Sequence, residues 1–187
     1  MRIIAGKYRS RPLHSLRGLD LRPTADRLRE TLFDVLTAGN AHALEGTTWV
    51  DLFAGTGAVG IEAISRGAGM VYFVENSRRA VELIRRNLHS LGVETGFQIH
   101  ERNAVHVAHA LVENPVDFVF LDPPYQMESV YRQTLEFLAQ SRVLKPESIV
   151  IAEHRKKFDP GERVASLQRY RLLKQGDAAL SFYRPGQ

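Results

Sequence analysis

From residue 47 onward, short apolar runs alternate with segments of helical periodicity, and this alternation limits the folds open to the chain. Apolar strands separated by helices are typical of a parallel sheet that is covered by helices on both faces. The predicted strands span residues 49–53, 70–74, 97–100, 116–121 and 148–152. One predicted helix ends near Gly67, the next runs from Ser77 to Gly92, the third runs through His109, and the fourth runs from Ser129 to Leu138.

Two more strands are predicted near the C-terminus, at about residues 170–173 and 179–183. Gly176 and Asp177 lie between them and form a hairpin signal, so these two strands should be antiparallel. The sequence therefore predicts an α/β fold with a seven-stranded, mostly parallel sheet and an antiparallel C-terminal hairpin. A chain of 187 residues suits one such domain.

The chain before the first strand contains a basic segment and one predicted helix. Thr24 can cap this helix, whose apolar side chains recur at helical spacing: Leu28, Leu32, Val35 and Leu36. Arg27 and Arg29 fall off this apolar stripe, which predicts that both face outward. We interpret residues 1–21 as a basic N-terminal arm, for which a small hairpin is one form, and residues 22–187 as the main domain.

Positive charge is concentrated in the first part of the chain. Residues 1–30 contain eight Lys or Arg and three Asp or Glu, a balance of +5, whereas the rest of the chain has a balance of −1. A basic arm of this kind is typical of contact with a polyanion, although a solvated, flexible terminus has the same composition. The candidate contacts are Lys7, Arg9, Arg11, Arg22, Arg27 and Arg29.

The composition argues against several classes of protein. The chain has no cysteine, so neither a disulfide nor a thiolate metal site is expected. His100, His106 and His109 lie close together, but no partner residue has the spacing of a metal site, so no metal is expected. No stretch is apolar enough for a signal peptide or a membrane span. We therefore expect a soluble, cytoplasmic protein without a membrane partner.

Residues that can bind a ligand follow four of the predicted strands. Gly55 and Gly57 come after the first strand, Glu75 after the second, Asn103 after the third and Asp122 after the fourth. Open parallel sheets bind ligands at the carboxyl ends of their strands, where the strand order reverses. Packing alone does not explain why all four strands end in this way, so we expect a binding site at this edge.

The glycine loop has more than one interpretation. Three glycines at positions 55, 57 and 60, with an acid twenty residues after the first, also fit a dinucleotide fingerprint. Nicotinamide cofactors and S-adenosylmethionine both carry adenosine, so this loop alone does not separate them. A tight turn without a ligand is a further alternative, in which Glu75 only begins a helix. The predicted cofactor contacts are Asp51, Phe53, Gly55, Gly57, Glu75, Asn76, Asn103 and Ala104.

The segment Asp122, Pro123, Pro124 and Tyr125 favours methyl transfer to an amine over hydride transfer. An exocyclic amine of guanine or adenine is a weak nucleophile, because its lone pair is delocalised into the ring. The Asp122 carboxylate and the Pro123 carbonyl can accept its N–H bonds, and the two prolines fix these acceptors in advance. Tyr125 offers a ring on which the base can stack. The structural alternative is a proline turn with a core tyrosine.

These segments together resemble the bacterial small-subunit rRNA guanine-N2 methyltransferases of the RsmD type. The resemblance covers nearly the whole chain and includes residues 2–7, 21–33, 51–57 and 122–125. It implies the Rossmann-like class I fold of methyltransferases that use S-adenosylmethionine. It further implies that the substrate is one guanine of 16S rRNA, within an assembled or partly assembled small subunit, and we expect the enzyme to act as a monomer.

The resemblance also implies roles for single residues. Gly55 and Gly57 match the cofactor loop, Glu75 the acid at the ribose, and residues 122–125 the clamp on the base. Asn103 stands where related enzymes often carry Asp. The basic segment 22–29 matches a region that would face RNA, and this contact should depend strongly on salt.

Three alternatives stay open at this point. An adenine-N6 methyltransferase acting on DNA or RNA would use the same four-residue clamp. A protein glutamine methyltransferase would more often carry Asn in place of Asp122. A catalytically inactive RNA-binding assembly factor would retain the fold without the activity, although the residues at the expected site are all chemically competent.

Overall fold

The computed structural model describes residues 1–15, 23–104, 115–124 and 126–186 of the chain. Its strands are β1 Thr48–Leu52, β2 Met70–Glu75, β3 Phe97–Glu101, β4 Val116–Leu121, β5 Leu144–Arg155, β6 Arg163–Val164, β7 Leu167–Gln175 and β8 Ala178–Pro185. They form one sheet in the order β3-β2-β1-β4-β5-β8-β7-β6. Strands β1 to β5 are parallel, and β8, β7 and β6 follow as antiparallel neighbours. The predicted mostly parallel sheet with an antiparallel C-terminal hairpin is therefore confirmed.

The sheet has eight strands where the sequence predicts seven. The additional strand, β6, contains two residues and pairs with the start of β7. The turn between them has Ala165 in the left-handed region, with φ of 49°. A strand of two residues is too short to produce a recognisable alternation of apolar and polar positions, so sequence periodicity does not reveal it.

The described helices are α1 Pro23–Leu36, α2 Ala58–Ser65, α3 Arg78–Ser90 and α4 Glu128–Gln140. Ser77 caps α3, because its side chain accepts a hydrogen bond from the Ala80 N–H. Helix α1 begins at Pro23, where a missing N–H has no consequence, and the side chain of Thr24, its predicted cap, lies outside the described part of the structure. The helix predicted through His109 lies outside the described residues. None of the described helices is long and apolar enough to cross a membrane.

The sheet separates two cores, and this explains why its central strands are almost continuously apolar. Trp49 packs between the rings of Phe33 on α1 and Phe118 on β4. Val50, the next residue on β1, belongs to the core on the opposite face. Helices α1, α2 and α3 cover the Trp49 face, and α4 covers the Val50 face. Neighbouring residues of one strand are therefore buried on opposite faces of the sheet.

The described part of the N-terminal arm, residues 1–15, folds back onto the domain. An antiparallel bridge joins Arg2 and Pro12, and a turn between them brings the Ser10 N–H to the carbonyl of Ile3. Ile3 and Leu13 are buried in the core on the Trp49 face. The end of the predicted arm lies in residues 16–22, outside the described part of the chain.

Candidate active site

The ligand-binding residues predicted from the sequence lie at one edge of the sheet. Strand β1 is between β2 and β4, and Leu52 pairs with Val74 on one side and with Leu121 on the other. Glu75 and Asp122 follow those two partners directly, so they stand at the same level of the sheet. The chain passes from β1 to β2 and later returns to β4 on the other side of β1. The strand order therefore reverses here, as at ligand sites of open parallel sheets.

The glycine loop after β1 leaves room on one side and packs tightly on the other. Gly55 has φ of 54°, a conformation that favours glycine. A Cβ atom at Gly55 would meet only the carbonyl oxygen of Phe53, at 3.9 Å. A Cβ atom at Gly60 would instead clash with the Phe73 ring, so Gly60 serves the packing of α2 on the sheet. The open side at Gly55 is where the backbone can approach a ligand.

Two carboxylates hold this loop through backbone N–H groups. Glu75 accepts the N–H of Gly55 at 2.9 Å through Oε2, and the N–H of Ser77 at 2.8 Å through Oε1. The Oδ2 atom of Asp51 accepts the N–H of Gly60 at 2.9 Å. Each carboxylate oxygen can accept a second hydrogen bond, so Glu75 can still receive the hydroxyl groups of a ribose. The residues present therefore fit an adenosine-containing cofactor.

Asp51 is held in an environment that opposes its charge. Its side chain is 2% exposed, and burial raises its pKa to about 8. The hydrogen bond from Gly60 opposes this rise, and the nearby charge of Glu75 adds to it. Asp51 therefore holds the loop through the N–H of Gly60, and its raised pKa brings its titration close to neutral pH.

The other predicted cofactor residues lie in the loop itself or follow β2 and β3. Phe53 has φ of 61°, a strained conformation for a residue with a side chain, and such strain is concentrated at functional sites. Asn76 and Asn103 are exposed beyond the ends of β2 and β3, and Ala104 is buried. In the described part of the chain, no group of three His, Asp or Glu side chains is arranged to hold a metal ion.

Asp122, the residue after β4, lies beside a second acid, Glu153, on the neighbouring strand β5. Leu121 pairs with Ala152, and Asp122 and Glu153 follow directly on these neighbouring strands. Burial raises the pKa of Asp122 well above its ordinary value, and the charges of Glu153 and Asp51 raise it further. Acids that repel one another in this way favour an incoming N–H donor or cation.

The proline segment after Asp122 is held by a tyrosine on α4. Tyr131 is 1% exposed, and its hydroxyl donates to the carbonyl oxygen of Glu153 at 2.9 Å. The same hydroxyl lies 3.3 Å from the carbonyl oxygen of Pro123. Pro123 is buried and Pro124 is exposed, whereas Tyr125 lies outside the described residues. Tyr131 thus fixes the spacing between the proline segment after β4 and strand β5.

Buried polar side chains attach the N-terminal arm to α2 and α3. The two carboxylate oxygens of Glu62 accept the N–H groups of Ile4 and Ala5, at 2.8 and 2.9 Å. The Asn87 side chain accepts the N–H of His14 at 2.8 Å and donates to the His14 carbonyl at 3.1 Å. It also donates to the carbonyl of Thr56, in the glycine loop, at 3.0 Å. The arm therefore lies next to the candidate cofactor loop.

The candidate RNA contacts divide into exposed and buried groups. Lys7, Arg9 and Arg11 on the arm and Arg27 on α1 are exposed. The prediction that Arg29 faces outward is wrong. Its side chain is 5% exposed, and one guanidinium nitrogen donates to the Arg2 carbonyl at 2.6 Å and to Asp26 at 3.1 Å. Another nitrogen lies 3.8 Å from Glu62. Arg29 therefore cannot reach a phosphate.

Arg22, the remaining candidate for an RNA contact, lies outside the described residues.

Sequence reasoning missed several residues that build this region. Tyr131 falls on the apolar stripe of α4, where its spacing indicates only a core position. Glu153 directly follows the predicted fifth strand, residues 148–152, so the strand-end rule could have identified it, although β5 continues to Arg155 in the structure. Glu62 and Asn87 are fully buried on predicted helices, and the partners that explain their burial come largely from other elements, namely the arm, Arg29 on α1 and the Thr56 carbonyl.

Known proteins similar to this chain match it along most of its length. The family model described as “Conserved hypothetical protein 95” matches residues 1–184. “Ribosomal RNA small subunit methyltransferase D” of Haemophilus influenzae is 31% identical over 186 residues, which cover 98% of this chain and 92% of that protein. The protein of the same name in Escherichia coli K12 is 32% identical over 153 residues, which cover 82% of this chain and 74% of that protein.

A solved structure also matches the whole chain. The structure described as “Putative methyltransferase yhhF” from Escherichia coli has a TM-score of 0.82 and 31% sequence identity. The match covers 100% of this chain and 99% of that one. The sheet and the glycine loop described above therefore occur in a methyltransferase architecture.

Proposed function

The chain belongs to the family described as conserved hypothetical protein 95, and we propose that it transfers a methyl group from S-adenosylmethionine to N2 of a guanine in 16S rRNA. This membership confirms the resemblance to the RsmD-type methyltransferases and the predicted methyltransferase fold. The observation that carries the proposal is the placement of Glu75 and Asp122 on either side of Leu52, at the edge where the strand order reverses. One acid serves the cofactor loop, and the other begins the proline segment.

The cofactor half of the site consists of the loop after β1 and the end of β2. When S-adenosylmethionine is bound, it supplies an electrophilic methyl group. Gly55 allows its adenosine part to approach the backbone, and Glu75 accepts the ribose hydroxyl groups. Asp51 holds the loop through Gly60. Phe53 supports the proposal because its strained backbone turns the chain from β1 into this loop. We assign Asn76, Asn103 and Ala104 to the surroundings of the adenine.

The amine half consists of Asp122 and Pro123, which follow β4, and of Glu153 on β5. The Asp122 carboxylate and the Pro123 carbonyl accept the N–H bonds of the guanine amine, and this favours a tetrahedral nitrogen with an available lone pair. N–H donors favour the ionised form of Asp122, so its pKa should fall when the base binds. The nitrogen must release one proton as it gains the methyl group. The Asp122 carboxyl, whose pKa Glu153 raises, is suited to hold it.

The choice of small-subunit rRNA rests on the relatives and on the charge of the arm, and the choice of guanine rests on the resemblance to the RsmD type. The relatives of the same family are named as small-subunit rRNA methyltransferases. Lys7, Arg9, Arg11 and Arg27 are exposed, and the arm is fixed beside the cofactor loop through Asn87. RNA phosphates bound there would lie close to the site. We place the activity in the cytoplasm, where its substrate is found, with a monomer acting on an assembled or partly assembled small subunit.

Mass spectrometry of the methylated product tests this proposal. The protein is incubated with methyl-labelled cofactor and, separately, with small subunits from cells that lack this enzyme, with isolated 16S rRNA and with duplex DNA. We expect labelled N2-methylguanosine at one position of 16S rRNA, and more of it from subunits. Labelled N6-methyladenine would instead show an adenine methyltransferase. No label in any substrate, with normal cofactor binding, would favour an inactive assembly factor.

A further inference from the structure

The distribution of charge outside the arm is uneven. Residues 31–154 contain nine Lys or Arg and fifteen Asp or Glu, a balance of −6. Residues 155–187 contain eight Lys or Arg and three Asp or Glu, a balance of +5. The balance of −1 for the chain after residue 30 is therefore the sum of an acidic middle part and a second basic segment. This segment carries the same excess of positive charge as residues 1–30.

The fold exposes part of this basic segment on the same face of the sheet as α1. Arg171 on β7 pairs with Phe182 on β8, whose ring is buried in the core beneath α1, α2 and α3. Paired residues of antiparallel strands point to the same face, so exposed Arg171 points to that face too. The Thr31 hydroxyl on α1 donates to the Gln175 side chain at 2.9 Å. Helix α1 therefore lies between the arm and the end of β7.

A bulge in β7 presents an aromatic ring on this face. The register between β7 and β8 shifts between Arg169 and Arg171, so Tyr170 has no partner in the ladder. Tyr170 is 44% exposed, and its ring lies 6.2 Å from the Phe182 ring. The Arg184 guanidinium lies 4.6 Å from the centre of the Tyr170 ring. A single exposed tyrosine is ordinary, but this one is combined with two arginines.

These arginines differ from the neighbouring Arg169. Arg169 forms two short hydrogen bonds to Asp159, at 2.5 and 3.1 Å, and its charge is thereby neutralised. None of the ion pairs found among the described residues includes Arg171 or Arg184. Their charges are therefore available to an external anion.

We propose that Tyr170, Arg171 and Arg184, here called the hairpin surface, form a second RNA contact in which the arginines bind phosphates and the tyrosine stacks on an unpaired base. This inference rests on the proposed function, because it assigns another part of the same RNA to this surface. An exposed aromatic ring between basic side chains is the usual arrangement for binding single-stranded nucleic acid. Two separate contacts would also fix the orientation of a substrate on a protein with no separate recognition domain among its described residues.

Binding measurements on the full chain test the hairpin surface. The affinities of the wild-type protein, Tyr170→Ala, Tyr170→Phe and the double variant Arg171→Ala/Arg184→Ala are measured with isolated 16S rRNA and with small subunits, over a range of salt concentrations. Lys174→Ala is the matched control, because Lys174 is exposed on the same strand and pairs with Ala179, on the opposite face. Arg9→Ala on the arm serves as a positive control for RNA contact.

We expect Tyr170→Ala to weaken RNA binding roughly tenfold, and Tyr170→Phe to retain most of the affinity, because stacking requires the ring and not the hydroxyl. The double arginine variant should lower the slope of log K against log salt by about 1 to 2. Lys174→Ala should change either value much less. The circular dichroism spectrum and the affinity for the cofactor should stay unchanged in all variants, because the hairpin surface contributes to neither the core nor the cofactor site.

Two results would overturn the inference while leaving the proposed function intact. In the first, Tyr170→Ala and the double variant bind and methylate RNA like the wild type, whereas Arg9→Ala is impaired. In the second, the variants lose affinity for subunits but not for isolated 16S rRNA, which would indicate a ribosomal protein as the partner of this surface. Failure of the wild-type protein to methylate any rRNA substrate would instead count against the proposed function.

Discussion

The cofactor half and the amine half of the candidate site hold their acids in different ways. In the cofactor half, the carboxylates of Glu75 and Asp51 accept three backbone N–H groups of the loop and of the following helices. In the amine half, Asp122 follows β4 and Glu153 lies beside it on β5, and Tyr131 and the prolines fix the backbone there instead. The charge of Glu153 adds to the effect of burial in raising the pKa of Asp122.

This difference fits the groups that each half would bind. A ribose offers neutral hydroxyl groups, so a carboxylate that is already oriented by N–H donors can receive them without rearrangement. A reacting amine gains positive charge, so a carboxyl group whose ionisation is opposed before binding gains most from its arrival. We infer that Glu75 in the cofactor half is oriented in advance to accept neutral hydroxyl groups. Asp122 in the amine half is instead held where it gains most from an amine that develops positive charge.

The largest expected effect is on turnover in the amine half. Asp122→Ala should lower kcat roughly 100-fold or more, because it removes an oriented acceptor for the developing charge. The dissociation constant of the cofactor should change less than about threefold, since the loop is held by Glu75 and Asp51. Single-turnover kinetics and calorimetry measure the two quantities. A variant with near-normal turnover would show that the amine is activated elsewhere.

The next effect separates the cofactor half from the amine half. Glu75→Gln should weaken cofactor binding roughly tenfold or more, because hydrogen bonds to a charged acceptor are replaced by weaker ones and one loop N–H loses its acceptor. Turnover at saturating cofactor should change much less. Glu101→Gln is the matched control, since exposed Glu101 pairs with Glu75 on the neighbouring strand. Equal loss of affinity in both variants would contradict a specific role for Glu75.

Tyr131 allows a smaller test of how the amine half is held. Tyr131→Phe removes the hydroxyl that contacts the carbonyl oxygens of Pro123 and Glu153. This variant should lower kcat roughly 3- to 10-fold. Tyr183→Phe is the control, because Tyr183 is also fully buried and donates to a carbonyl, that of Gly161, at 2.7 Å. Both variants should lose similar stability. If turnover falls equally in both, Tyr131 stabilises the fold without positioning the proline segment.

The last prediction concerns the pH dependence of stability. The folded state raises the pKa of Asp51 to about 8, so over pH values from about 4 to about 8 the folded protein binds a proton that the unfolded chain releases. This group therefore makes the free energy of unfolding fall as pH rises through that window. Asp51→Asn can retain the hydrogen bond from Gly60 without a titrating group. Urea unfolding at several pH values should show a flatter profile for the variant, and parallel profiles would contradict the raised pKa.

Much of the fold and part of the site follow from local patterns in the chain. Strands β1 to β4 were predicted to within one or two residues. Strands β1, β2 and β4 are mostly apolar and buried on both faces, whereas the edge strand β3 is only partly buried and alternates apolar and polar residues. The joint position of Gly55, Glu75 and Asp122 follows from the same pattern, since parallel strands place their carboxyl ends at one edge. The burial of Arg29 does not follow from a local pattern, because its partners Arg2 and Glu62 come from separate elements of the chain.

The exposure of the charged side chains is likewise not predictable from local sequence patterns. The sequence determines that both ends are basic and that the middle is acidic, since that is a property of composition along the chain. Arg27 and Arg29 are two residues apart on one helix, yet one is exposed and the other is buried against the arm. Arg169 and Arg171 are equally close, yet one is neutralised by Asp159 and the other is exposed. Only the tertiary structure decides which arginines can meet RNA.

By itself, the sequence determined a parallel sheet with a glycine loop and an acid-proline segment at one edge, because hydrophobic periodicity and turn chemistry act over a few residues. The tertiary structure alone decided that the Tyr131 hydroxyl holds the proline segment and that Glu62 and Asn87 fix the arm beside the loop. Each of these contacts joins residues from different elements. Burial and hydrogen bonding across such distances depend on how the layers pack, which no local pattern encodes.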